Sequence, residues 1–214
     1  MPALLLGLTV VTGVIDAVSI LSLGRVFVAN MTGNVVFVGF ALAGAPGFSV
    51  SAAIFALGGF LEGAVLAGAA IRRFGNRRHA LFRAAVVVQL GLVVLAVVVA
   101  AAADAPYGAG RRDAIAAICA LAMGIQNAVV SKLAIADLTT TVLTRTLTSI
   151  AVDLRAGGDR PALVRRVLSV LAMLAGAIVG ALLVLYASPT AALGLAAGLL
   201  AIVACGAHRL TAGP

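Results

Sequence analysis

Phe27-Val28-Ala29-Asn30-Met31-Thr32-Gly33-Asn34 is the stretch on which the topology of this chain turns. It lies inside an apolar segment, residues 26–44, that is long enough to cross a bilayer but carries Asn30, Thr32, Gly33 and Asn34 near its centre. A second segment, 134–152, has the same character, with Thr139-Thr140-Thr141 followed by Thr144-Arg145-Thr146. A central Asp or Arg costs roughly 2.5 to 3.5 kcal/mol on membrane-insertion scales. Polar and ionisable groups kept at that depth are usually functional. If both segments cross, the chain has eight spans; if both dip in and return, it has six.

The composition places these segments in a membrane. The chain has 214 residues, is 63% hydrophobic and 10% charged, has a mean hydropathy of +1.20 and contains no Trp. A soluble domain would be nearer half apolar. The net charge of +8 comes from arginines in short connections between apolar runs. Such placement follows the positive-inside rule and lacks the solvated basic face of a nucleic-acid footprint, so no nucleic-acid partner is expected. Cys119 and Cys205 both lie in apolar runs, with no CxxC and no His/Cys cluster. Neither a disulfide nor a metal site is expected, and nothing calls for a cofactor. Met1-Pro2 leads straight into apolar sequence without a basic leader, which reads as a first span, not a removed signal peptide.

A hydrocarbon core of about 30 Å needs about 20 helical residues. Six segments meet that length cleanly: 3–23, 49–71, 84–103, 113–132, 166–187 and 190–207. Arginine arbitrates the other two. The connection 72–83 carries Arg72, Arg73, Arg77, Arg78 and Arg83, and the connection 153–166 carries Arg155, Arg160, Arg165 and Arg166, so both are expected on the cytoplasmic side. Two clean spans separate them, which leaves 134–152 to begin and end in the cytoplasm. By the same logic 26–44 begins and ends outside. The expected fold is an all-α polytopic membrane protein with six transmembrane helices plus two re-entrant or broken helices. It sits in the cell (inner) membrane, with both termini cytoplasmic.

Each half then reads span, re-entrant segment, span, span, and the halves, 1–105 and 106–214, have opposite orientation: an inverted repeat. Gly13-Val14-Ile15-Asp16-Ala17-Val18 aligns with Gly124-Ile125-Gln126-Asn127-Ala128-Val129, and Met31-Thr32-Gly33-Asn34 with Leu143-Thr144-Arg145-Thr146. Gly59 and Gly63 resemble Gly176 and Gly180.

The polar residues form constellations. Thr9, Thr12, Asp16 and Ser19 recur at spacings of three and four on one face of the first span. That face is expected either to staple helices together, through a neighbour such as Arg145 or a half-helix N-terminus, or to line a pathway. Around Gly33, Asn or Thr is expected to cap a short helix starting at membrane depth. Asp137 or a following Thr is expected to do the same in the second half. Two half-helix N-termini meeting near the midplane would suit a small polar or anionic solute. Gln126, Asn127 and Ser131 mirror the Asp16 region, setting an amide against an acid. Glu62 is the other intramembrane acid, among Gly58, Gly59 and Gly63. The Gly59-xxx-Gly63 and Gly176-xxx-Gly180 rows suit close helix packing.

Gly13-x-x-Asp16-Ala17-x-Ser19 with Val26-Phe27-Val28-Ala29-Asn30-Met31-Thr32-Gly33-Asn34, and again Met123-Gly124-x-Gln126-Asn127-Ala128 with Thr140-Thr141-x-x-Thr144-x-Thr146, resemble the YoaK-like bacterial family of inner-membrane proteins, a domain-of-unknown-function group. The resemblance covers nearly the whole chain. It implies a multi-span protein of the cytoplasmic membrane and brings no established activity, substrate or cofactor. Arg145, where a small residue would be expected after the Thr, departs from strict equivalence of the two polar turns.

The function expected from these residues is a transporter or channel for a small polar or anionic solute. Its pathway would be lined by Asp16, Ser19, Asn30, Thr32, Gly33, Asn34, Glu62, Gln126, Asn127, Thr141, Thr144 and Arg145. The alternative is a non-transporting scaffold or accessory subunit, and then an intramembrane enzyme. With no HExxH, no GxSxG and no His deep in a span, an enzyme is not expected. The lipid bilayer is the partner the sequence requires, and a homo-oligomer stays open.

Overall fold

The structure, a computed structural model, describes residues 2–74, 77–133, 143–156 and 160–212. Among these, eight helices follow in order: α1 (Pro2–Ser22), α2 (Met31–Leu42), α3 (Val50–Phe74), α4 (Arg78–Ala101), α5 (Ala109–Leu133), α6 (Leu143–Ala156), α7 (Arg160–Tyr186) and α8 (Pro189–Ala212). Six are long and apolar enough to span a membrane: α1, α3, α4, α5, α7 and α8. They coincide with the six runs expected from hydropathy. The polytopic helical fold follows from the backbone itself, because in hydrocarbon only a helix satisfies its N–H and C=O groups within one segment.

The two remaining helices are short. At 1.5 Å per residue, the 12 residues of α2 extend only about 18 Å, too little for a core of about 30 Å. The chain also returns where it left. Gly24, just past α1, packs against Ser49 and Ala52 at the start of α3 and against Arg112 of α5. The guanidinium of Arg25 lies against Gly47 and over the Phe48 ring, 5.7 Å from its centroid. The segment between α1 and α3 is therefore a broken, re-entrant element. Its non-helical limb, residues 23–30, is pinned by aromatic contacts: Phe27 stacks on Phe37 of α2 at 5.6 Å, and Phe37 meets Phe48 at 5.0 Å. Residues 134–142, the first part of the second polar segment with Asp137 and Thr139-Thr140-Thr141, lie outside the described residues. α6, of 14 residues, packs on α7.

Two helix pairs carry the main packing, α3 on α5 and α1 on α7, joined by α4 on α8 and by α4 and α8 against α5 and α1. Glycine makes both crossings possible. On α3, a Cβ at Gly59 or Gly63 would run into the carbonyls of Ala117 and Leu121, and one at Gly124 of α5 into that of Phe60. On the other pair, a Cβ at Gly176 of α7 would run into the Val10 carbonyl, one at Gly180 into Val14 Cα, and one at Gly13 of α1 into the Met173 carbonyl. Small residues let helix backbones approach closely where lipid supplies no hydrophobic drive between helices. The deepest core belongs to α1 and α5, each with most of its span buried by neighbours, whereas α3 and α7 turn most of their surface outward.

Candidate functional site

The polar stripe of α1 is buried along its length. Thr9, Thr12, Asp16 and Ser19 are all at most 8% exposed. Thr9 and Thr12 donate back to the Leu5 and Leu8 carbonyls, and Ser19 donates to the Asp16 carbonyl. These local bonds satisfy the hydroxyls within the helix and leave the oxygens able to accept from neighbours.

Two polar knots grow from this stripe. In the first, Asp16 Oδ1 accepts the Val28 N–H at 3.2 Å, with the Ala29 amide beside it. The carboxyl group thus holds the unwound limb ahead of α2. Asn34, inside the first turns of α2, folds back onto the same limb: its Oδ1 accepts the Phe27 N–H at 2.8 Å and its Nδ2 donates to the Phe27 carbonyl at 2.6 Å. A non-helical strand at membrane depth needs its main-chain groups satisfied by protein, and Asp16 and Asn34 do this for residues 27 and 28. In the second knot, Gln126 of α5 donates through Nε2 to Thr12 Oγ1 at 3.0 Å and accepts through Oε1 from Gln89 Nε2 of α4 at 2.6 Å. This chain ties α1, α5 and α4 at the centre of the protein. A cavity of about 10 Å³ lies beside the two glutamines, close to the room one water molecule needs.

The expected site residues separate into groups. Asp16, Ser19, Asn34 and Gln126 are buried in these knots. The expected cap is not made: Asn30 stands at the N-cap of α2 with no side-chain cap bond, because the Asn34 side chain already braces the preceding limb. Gly33 belongs to the short helix itself. It lies within α2, where a Cβ would come 2.7 Å from the Phe27 ring, so glycine is what lets that ring cover the helix start. Thr32 is exposed.

Glu62 does not line the packed interior. Gly59 and Gly63 form the row that meets α5, and a residue one position from Gly63 is rotated by roughly 100° around the helix. Glu62 is therefore outward-facing, with Leu61 and Val65, 62% and 72% exposed. In the second half, Asn127 is half-buried on α5 and Thr144 is exposed on α6. Thr141 and the side chain of Arg145 lie outside the described residues, as does Asp137. Among the described residues α2 and α6 do not touch.

Gln89, one amide in a run of Val, Leu and Ala, does not stand out in the sequence. The signal that could have found it is its register. Gln89 stands with Phe82, Ala85, Val86, Ala96 and Ala100 on the buried face of α4, and small residues on one face of a span mark an interface.

Comparison with known proteins bears on the same segments. The family described as "Protein of unknown function (DUF1275)" matches residues 4–206. The chain belongs to this family. The chain is also similar to the UPF0700 transmembrane protein YoaK of Bacillus subtilis (strain 168), 33% identical over 147 residues, 69% of this chain. The matched stretch spans 64% of that relative's length. No solved structure matches the chain. A multi-pass membrane protein with the YoaK-like signature is thus established from both sequence and fold.

Proposed function

We propose that this DUF1275 protein moves a small polar solute across the membrane, with the unwound limb before α2 as its moving part. The observation that carries the proposal is the Asp16 carboxyl group, buried in a span and joined to main-chain amides of a broken helix. Transporters place substrate and coupling-ion sites at discontinuous helices, where main-chain groups are free of the helical ladder. Here the group that holds the broken segment is also the one able to gain or lose a charge. A change in its protonation or ligation alters its grip on residues 28 and 29.

An inverted repeat accords with the pattern of contacts. α1 with α7 corresponds to α5 with α3, α1 with α8 to α5 with α4, and α2 with α3 to α6 with α7. Gly13 and Gly124 occupy matching places in the two crossings. We place both termini and the connections 72–83 and 153–166 in the cytoplasm, on the positive-inside rule.

The test is flux into proteoliposomes, read across a panel of ions, amino acids and organic anions. Asp16→Asn is expected to abolish flux while leaving the melting temperature close to that of the parent, since the Asn carbonyl still accepts the Val28 N–H. A scaffold, the second possibility, is favoured by the internal satisfaction of both knots and the single-water size of the central cavity. It predicts no flux for any solute and no defect specific to Asp16→Asn.

A further inference from the structure

A groove of about 220 Å³ lies between α3 and α4, walled by Leu66, Ala70 and Phe74 on one side and Leu81, Ala84 and Val88 on the other, with Leu66 and Val88 exposed at its rim. α5 closes its floor with Ile125 and Val129. Its walls are apolar throughout. From Leu66 to Phe74 it follows eight residues of helix, about 12 Å, which is most of one leaflet of a core about 30 Å thick.

The groove ends where the charge begins. Phe74 closes α3 directly after Arg72 and Arg73, and α4 starts at Arg78 directly after Arg77, both flanking the end of the groove lined by Phe74 and Leu81. All four arginines are exposed. Arg78 donates to the Leu133 carbonyl at the end of α5, which fixes it over the same end of the helix trio. An apolar slot one leaflet deep beneath a cluster of guanidinium groups matches one ligand in both halves. Basic pockets between transmembrane helices take anionic lipid headgroups, and guanidinium suits phosphate geometry.

We infer that the α3–α4 groove is a binding site for one anionic diacyl phospholipid, one of its two acyl chains lying between Leu66 and Phe74 and its phosphate held by Arg73 and Arg77. Positive-inside placement explains arginine in this connection but not a leaflet-long slot leading to it.

The experiment is native mass spectrometry of the full chain released from detergent containing equal phosphatidylglycerol and phosphatidylcholine. One phosphatidylglycerol is expected to be retained in preference, and Arg73→Gln with Arg77→Gln to cut that preference by about fivefold per arginine. Arg72, Arg78 and Arg83 remain in that variant, so the charge bias that orients the chain persists. Ala70→Leu with Ala84→Leu fills the slot and is expected to remove the bound lipid with all surface arginines in place. Equal retention of the two lipids, or a preference surviving both double variants, overturns the site. Displacement of the lipid by glycerol 3-phosphate alone would also overturn it, by showing a phosphate site without a use for the groove.

Discussion

Asn34 shows how a residue that looks like a ligand becomes a brace. Its side chain makes both hydrogen bonds that the Phe27 peptide groups need. Removing it leaves a donor and an acceptor buried without partners, each costing about 1 to 3 kcal/mol. Asn34→Ala is therefore expected to lower stability by about 2 kcal/mol or more, seen as a clear fall in melting temperature in detergent; an unchanged melting temperature would return Asn34 to the list of solute ligands. The Gln89–Gln126 bond is testable by a double-mutant cycle with Leu at each position. Interhelical hydrogen bonds in membranes couple by about 0.6 kcal/mol on average and at most about 1.7, and a value in that range is expected. Both residues illustrate what sequence hides. The polarity of Asn34 and Asp16 was legible at once, but whether an amide faces a peptide group or a solute depends on a limb seven or twelve residues away.

At the scale of elements, the six spans were legible because the bilayer imposes a length that composition alone reveals. That residues 26–44 do not cross was legible too, from the arginine-rich connections, which leave that segment to begin and end on one side. What could not be read was orientation about the helix axis. Glu62 and Gly63 are neighbours in sequence, yet one faces outward and the other touches the Leu121 backbone. Only packing decides between them. The two glycine crossings are expected to respond alike. Gly124→Leu and Gly176→Leu each force backbones apart, and overpacking typically costs about 1 to 3 kcal/mol, whereas Gly194→Ala and Gly198→Ala meet open space and are expected to be neutral or mildly stabilising. Thermal unfolding in detergent separates the two classes, and indifference at Gly124 or Gly176 would refute the close approach.

At the scale of the whole molecule, contacts between chain segments sort into two ends. Arg25, Gly47, Ser49 and Arg112 cluster at one, and Tyr107 meets Thr190 there. Arg78 meets Leu133, and Arg83 meets His208, at the other. That sorting is what six crossings require when the chain leaves α1 and enters α3 at one end, and leaves α5 and enters α7 at the other. It sets the arginine-bearing start of α4 beside the ends of α5 and α8, and α7, whose Gly176 and Gly180 meet Val10 and Val14 of α1, starts at that same end, where Leu4 of α1 meets Gly206 of α8. Single cysteines at Pro46, Arg77, Gly108 and Arg160, in a background with Cys119 and Cys205 replaced, test it with a membrane-impermeant thiol reagent on intact cells. Pro46→Cys and Gly108→Cys are expected to label from outside and Arg77→Cys and Arg160→Cys only after permeabilisation, whereas labelling of residues 77 and 160 from opposite sides would make 134–152 a full crossing and contradict the six-span topology.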